Sequence, residues 1–228
     1  MNIAIFDFEG TLVDFQWQLK PALEAVYPKI APNIDAAKLD QKLISRFDYC
    51  HLYNYLQRNI SDPELVQETL QLIDNVFDYY DADAARRWQP YPEVPKLLSD
   101  LKTAGWGIAL DSNVGRKALK QMFKKFSLDD YFDLTISRND VSRLKPEPEG
   151  IRQILNYYNN NQNAPEQTFL IGDSVTDIKT ARNAGIKVAI LINGEDKTAR
   201  LRAHHPDFLI NNLAELEIIF SLSSVVSD

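Results

Sequence analysis

Six short apolar runs, each ending at an acidic, Ser/Asn or glycine residue, limit what this chain can fold into. Ile3-Ala4-Ile5-Phe6 runs into Asp7, Gly107-Ile108-Ala109-Leu110 into Asp111-Ser112-Asn113, and Phe169-Leu170-Ile171 into Gly172-Asp173-Ser174. Leu134-Thr135-Ile136, Val188-Ala189-Ile190-Leu191 and Phe208-Leu209-Ile210 complete the set. Such runs are too short for helices and apolar on both faces, which suits buried strands of a parallel sheet. Between them lie amphipathic segments of helical length. Val94, Leu97, Leu98 and Leu101 fall at helical spacing before Gly105, a C-terminal cap signal. Residues 115–126, 147–158 and 175–184 read the same way, the last followed by Gly185. The alternation predicts an α/β fold, a doubly wound, Rossmann-like parallel sheet with right-handed crossovers.

From residue 15 to 88 this rhythm stops. No strand-like run occurs there, yet helical patterns do. Pro21 opens one carrying Leu23, Val26, Tyr27 and Ile30, and Leu39, Leu43, Phe47 and Cys50 form a second. In a third, Asp62 reads as an N-cap and Pro63 as the first helical residue, ahead of Leu65, Leu72, Ile73, Val76, Phe77 and Tyr80. Some seventy residues are too many for a loop. The expected organisation is an α/β core from 1–14 and 89–228 interrupted by an all-helical cap over 15–88. Asn156 to Asn163 reads as a polar connector.

Composition removes several functional classes. With 45% hydrophobic and 25% charged residues, the chain has the balance of a globular protein. Twenty-five basic against thirty-two acidic residues give a net charge of −7, which argues against nucleic acid as a partner. The same sign means that an anionic ligand must be drawn by a local site. The single cysteine, Cys50, excludes an intrachain disulfide framework and points to a reducing compartment. No run is long and apolar enough for a membrane span, and the N-terminus turns acidic too early for a signal peptide. A cytoplasmic monomer or homodimer is expected.

In an open parallel sheet, ligands collect beyond the carboxyl ends of the strands. Here those ends carry Asp7 and Glu9, Ser112 and Asn113, and Asp173 and Asp177, while Lys145 lies in the loop after the 134–136 run. Several carboxylates without a His or Cys cluster make a hard-oxygen site suited to Mg²⁺. That ion together with Lys145 would reverse the local sign, and the helix opening near Gly115 would add an anion-binding end. A phosphate dianion is the guest such a site would take.

These residues, in this order, resemble the haloacid dehalogenase superfamily of phosphotransferases. Asp7-Phe8-Glu9-Gly10-Thr11-Leu12 is similar to its first motif, Ser112 to the second, Lys145 in Lys-Pro-Glu-Pro to the third, and Gly172-Asp173-Ser174-Val175-Thr176-Asp177 to the fourth. Pro90 to Val94 and Ala181 to Gly185 resemble the phosphoglycolate-phosphatase-like branch, in which a helical cap follows the first motif. The resemblance implies a Mg²⁺-dependent phosphatase acting on a small phosphorylated metabolite, with Asp7 as nucleophile and an aspartyl-phosphate intermediate. It implies that Asp7, the Glu9 carbonyl and Asp173 hold the metal, with Asp177 holding a metal-bound water or orienting Lys145. Glu9 would be the acid and base, Lys145 the neutralising cation, and Ser112 with the Asn113 backbone the phosphoryl-binding group.

Two residues depart from the family pattern. Glu9 stands where Asp is usual, and Asp111 precedes Ser112 where an apolar or hydroxyl residue is usual. Glu9 keeps two further readings open: a phosphomutase on the same scaffold, or a phosphate-binding protein of weak turnover. Trp17, Arg46 and Tyr53 are candidate substrate contacts whose alternative is cap packing. Arg116 stands near the phosphate end of its helix. His51, the His204-His205 pair and the lysines between 117 and 125 read as packing or solvated residues.

Overall fold

The structure, a computed structural model, describes residues 1–33, 49–160, 165–192 and 195–222. Six strands, β1 (Ile3–Phe6), β2 (Gly107–Asp111), β3 (Leu134–Ile136), β4 (Thr168–Gly172), β5 (Lys187–Leu191) and β6 (Phe208–Ile210), form one sheet in the order β3-β2-β1-β4-β5-β6. Every pairing is parallel. The helices of the described residues are α1 (Leu19–Ile30), α2 (Tyr49–Asn59), α3 (Pro63–Ala84), α4 (Val94–Thr103), α5 (Arg116–Phe126), α6 (Glu149–Asn160), α7 (Val175–Ala184), α8 (Glu195–Arg202) and α9 (Glu215–Ile219). Short 3-10 turns occur at Ala31–Asn33 and Arg138–Asp140.

The strand order places the topological switch at β1, and the register brings three strand ends level there. Phe6 lies opposite Leu110 of β2 and Ile171 of β4. The alternation of strand side chains then splits the core in two. Ala4, Phe6, Ile108, Leu110 and Phe169 face α4, α5 and α9. Ile3, Ile5, Ala109 and Leu170 face α6, α7 and α8 through Ile151, Ile154, Ile178 and Leu201.

The first of these clusters does not stop at the sheet. It continues through Phe8, Trp88, Trp17 and Phe77 into α1, α2 and α3. Trp17 meets Phe77 edge-on at 5.4 Å between ring centres, and Phe8 meets Trp88 at 5.2 Å. As the sequence predicts, Asp62 caps α3 by accepting from the Glu64 N–H at 3.0 Å, with Pro63 as its first residue.

Three boundaries differ from expectation. α1 opens at Leu19, so Pro21 sits in its first turn, where the missing N–H would have had no partner. α6 opens at Glu149 and not at 147, because the proline at 148 keeps the residue before it out of the helical region. The same helix runs through Asn160, so the connector expected from Asn156 is helical as far as that residue. Tyr158 explains this: it is buried and its hydroxyl donates to Asp133 at 2.8 Å. The helical pattern through Leu39, Leu43 and Phe47 lies outside the described residues, as does Arg46. Among the described residues no helix is long and apolar enough to cross a membrane.

Candidate active site

Asp7 is the first residue past β1, and its N–H still donates to the Ile171 carbonyl at 2.8 Å, so the sheet fixes its backbone. The turn that follows needs Gly10: its φ is +79°, and a Cβ there would come within 2.6 Å of the Asp173 carboxylate. On the neighbouring strand, a Cβ at Gly172 would come within 2.4 Å of Asp177 Cγ. Bare backbone at these two positions lets both aspartates close on Asp7. One carboxylate oxygen from each of Asp7, Asp173 and Asp177 lies within 4.8 Å of the others.

Lys145 is the cation of this cluster. Its Nζ is 2.7 Å from Asp177 Oδ1 and 2.9 Å from Asp7 Oδ1, and only 4% of its side chain is exposed. Burial alone would lower its pKa, but Asp177, Asp7 and Asp111 outweigh that and hold it well above the ordinary lysine value. Burial pushes the Asp7 carboxyl up to about 6, with the Lys145 ammonium pulling the other way. Asp177 has both oxygens engaged, since Oδ2 accepts from the Ser174 N–H at 3.1 Å in a capping box that opens α7. Three close, mostly buried carboxylates against one ammonium leave an excess of negative charge, and an all-oxygen donor set of this kind fits a divalent cation such as Mg²⁺.

Across the cluster, Ser112 follows β2, its N–H donating to the Ile136 carbonyl at 3.0 Å and its Oγ accepting from the Val114 N–H at 3.3 Å. The Asn113 side chain braces Lys145 by accepting from the Lys145 N–H at 3.2 Å. Glu9 is held otherwise than its loop position suggests. Its Oε1 accepts from the N–H groups of Gln16 at 2.7 Å and Trp17 at 2.6 Å and from the Trp88 indole at 2.8 Å. These donors belong to the two chain connections that enter and leave the helical segment. Burial still outweighs them and pushes the Glu9 carboxyl up to about 7. Its carboxylate stands apart from the three-aspartate cluster.

All seven residues that the sequence singles out for this site, Asp7, Glu9, Ser112, Asn113, Lys145, Asp173 and Asp177, line one cavity of about 390 Å³. The model of the haloacid dehalogenase-like hydrolases matches residues 4–191, a span that holds every one of them. The chain belongs to that family.

Its relatives in the family agree along nearly the whole length. A pyrophosphatase PpaX of Halalkalibacterium halodurans is 26% identical over 224 residues, covering 95% of each chain. A phosphoglycolate phosphatase of Aquifex aeolicus is 25% identical over 216 residues, again covering 95% of each. Among solved structures, a haloacid dehalogenase-like hydrolase from Streptococcus pneumoniae superposes with a TM-score of 0.60 at 22% identity, covering 96% of this chain and 98% of the other, and so shares the fold.

In this family member the wall facing the cluster comes from the helical segment, through the half-exposed Phe15 and through Trp17, Leu19 and Cys50. Trp17 thus packs and lines the cavity at once, while Tyr53 is buried in the core. Arg116 does not line the cavity. It bonds the Asn139 carbonyl at 3.1 Å and pairs with Asp140, in a separate hollow. The lysines at 117, 120, 124 and 125 are exposed, as are His204 and His205 in the turn after α8. The His51 side chain lies outside the described residues.

Sequence reasoning passed over three groups that hold this site. Asn54 of α2 bonds both the N–H and the carbonyl of Leu144, the residue before Lys145. Trp88 supplies a donor to Glu9. Arg138 and Asp81 join α3 to the loop that carries Ser112. Only for the last was there a signal: Asp74 and Asp81 fall at the same helical spacing as the core residues Ile73, Val76 and Phe77.

Proposed function

We propose that this hydrolase is a Mg²⁺-dependent phosphatase of small phosphorylated metabolites, with Asp7 as nucleophile. The observation that carries the reading is the Lys145 ammonium, held 2.9 Å from Asp7 and 2.7 Å from Asp177 beside the third carboxylate of Asp173. A carboxylate attacking a phosphate dianion must overcome repulsion, and a buried cation that also orients the nucleophile answers that need. Asp7, Asp173 and the Glu9 carbonyl would hold Mg²⁺, which supplies Lewis-acid neutralisation of the phosphoryl oxygens. Asp177, with both oxygens already bonded, serves by orienting Lys145.

Asp7 Oδ attacks phosphorus and the ester P–O bond breaks. The leaving oxygen takes its proton from Glu9. Three donors occupy Oε1, which leaves Oε2 as the atom that carries the proton. A carboxyl pushed up to about 7 is populated in both forms near neutrality, so Glu9 can then take a proton from the water that hydrolyses the aspartyl-phosphate. Inorganic phosphate leaves and the Asp7 carboxylate returns. Ser112 Oγ–H donates to a phosphoryl oxygen throughout. Residues 15–88 act as the cap, and Phe15, Trp17, Leu19 and Cys50 restrict the cavity to small leaving groups.

The test is phosphate release from an aryl phosphate and a panel of phosphorylated metabolites, with Mg²⁺ and with a chelator. Release that requires Mg²⁺ and is lost in Asp7→Asn is expected. Absence of release from the wild-type protein under every condition would overturn the reading. Phosphoryl transfer to an added sugar phosphate in preference to water would make the protein a mutase.

A further inference from the structure

Arg138 is the largest charged side chain in the core, 1% exposed, and nothing in the proposed chemistry uses it. It leaves the 3-10 turn after β3 and reaches across the loop that follows β2 to three aspartates of α3. Its Nε is 2.9 Å from Asp74 Oδ1, its Nη1 is 2.9 Å from Asp81 Oδ2, and its Nη2 pairs with Asp78. A buried guanidinium needs such partners, and a stack of three acids exceeds the one that neutrality requires. One of the three, Asp81, also serves other partners. Its Oδ2 also accepts from the Gly115 N–H at 2.9 Å, and its Oδ1 accepts from the Trp17 indole at 2.9 Å.

Arg138 also bonds the loop that follows β2 directly. Its own N–H donates to the Val114 carbonyl at 3.1 Å, and Nη1 donates to the Asn113 carbonyl at 3.1 Å. In a planar trans peptide the carbonyl and the next N–H point in opposite directions. Holding the Asn113 carbonyl toward Arg138 therefore aims the Val114 N–H the other way, and it is found on Ser112 Oγ at 3.3 Å. A hydroxyl that accepts there keeps its single proton for donation into the cavity.

We propose that Arg138 is a positioning residue for phosphoryl binding: through the 113–114 peptide it sets the Ser112 hydroxyl, and through Asp81 it ties that loop to α3. The inference rests on the phosphatase reading above. Lys cannot replace the fork, because one ammonium cannot meet Asp74, Asp81 and the Asn113 carbonyl together.

The experiment is a pair of double-mutant cycles. Arg138→Lys, and separately Asp81→Asn, are made in the wild-type and Ser112→Ala backgrounds. For each, kcat and KM for an aryl phosphate and inhibition by inorganic phosphate are measured, with folding checked by circular dichroism. In the wild-type background Arg138→Lys should lower kcat/KM by about 10²-fold, the order of loss for a misplacement of about 1 Å, and weaken phosphate inhibition. In the Ser112→Ala background the same change should cost no more than about twofold, because the group it positions is gone. Equal losses in both backgrounds would overturn the proposal, as would failure of both variants to fold, which makes Arg138 a residue of the fold alone. Wild-type protein without turnover would instead mark the functional reading as the failure, and the proposal would fall with it.

Discussion

Asp111 ends β2 4% exposed, with Oδ2 unpartnered, in the field of Asp7 and Asp177. Burial pushes its carboxyl up to about 7, Lys145 opposing and the two aspartates reinforcing the rise. Its ordinary value is 3.8, so across the interval from about 4 to 7 the folded chain holds a proton that the unfolded chain has lost. Stability from this group therefore falls as pH rises through that window and is level above it. At 1.36 kcal/mol per unit, the full difference is on the order of 4 kcal/mol at most. Asp111→Asn should remove this slope whatever its offset at low pH. Urea titrations of both proteins in chelator at pH 5 and pH 8 measure it: the variant should lose less stability between the two than the parent, and equal losses would refute the assignment. The position was visible in the sequence as a departure from a motif, but its state was not, since only the folded strand ends put three carboxylates and one lysine together. Glu9 is alike in this. The motif places it, while the three donors that hold it lie seven, eight and seventy-nine residues away.

At the scale of elements, the strands and the core helices were legible because buried parallel strands and amphipathic helices write their periods directly into the chain. What the sequence could not display is how α2 and α3 reach the loops of the sheet. Asn54 is 4% exposed, and its amide donates to the Leu144 carbonyl at 2.7 Å and accepts from the Leu144 N–H at 2.8 Å. The partners are ninety residues apart, and an asparagine on a helix carries no mark of such a task. Asn54→Ala leaves the buried Leu144 N–H unpaired, at a cost of ~1–3 kcal/mol, while the Leu144 carbonyl keeps the Glu147 N–H at 3.0 Å. It also frees the backbone from which Lys145 departs. The expected outcome is a loss of roughly 1–3 kcal/mol in urea denaturation together with a fall in kcat for any phosphate ester that the wild type turns over. Asn54→Asp, which keeps the acceptor but sets a buried carboxylate oxygen against the Leu144 carbonyl, should lose at least as much. A variant as stable as the parent would show that Asn54 does not hold the Lys145 loop.

The whole molecule joins a sheet to a helical segment that the sequence marks as an insertion, yet the apolar residues do not divide there. Phe8, Trp17, Phe77 and Trp88 belong to the same buried cluster as Phe6, Leu98, Leu110 and Phe123. Glu9 bonds both connections, and Asp81 bonds Trp17, Gly115 and Arg138, so polar ties run beside the apolar ones. Exposing that shared surface would cost both parts, which favours a single cooperative transition over stepwise loss of the helices. The three tryptophans allow a direct measurement, because Trp17 and Trp88 stand where the helical segment joins the core and Trp106 stacks on Phe220 at 4.5 Å on the sheet side. In Trp106→Phe the fluorescence reports the junction. In the double variant Trp17→Phe, Trp88→Phe it reports the sheet. Within each protein the fluorescence midpoint in urea should coincide with that of far-ultraviolet circular dichroism, which follows all the helices at once. A junction signal that fades well before the circular dichroism would mean that the helices detach while the sheet stays folded, and that the shared cluster holds less than its continuity implies.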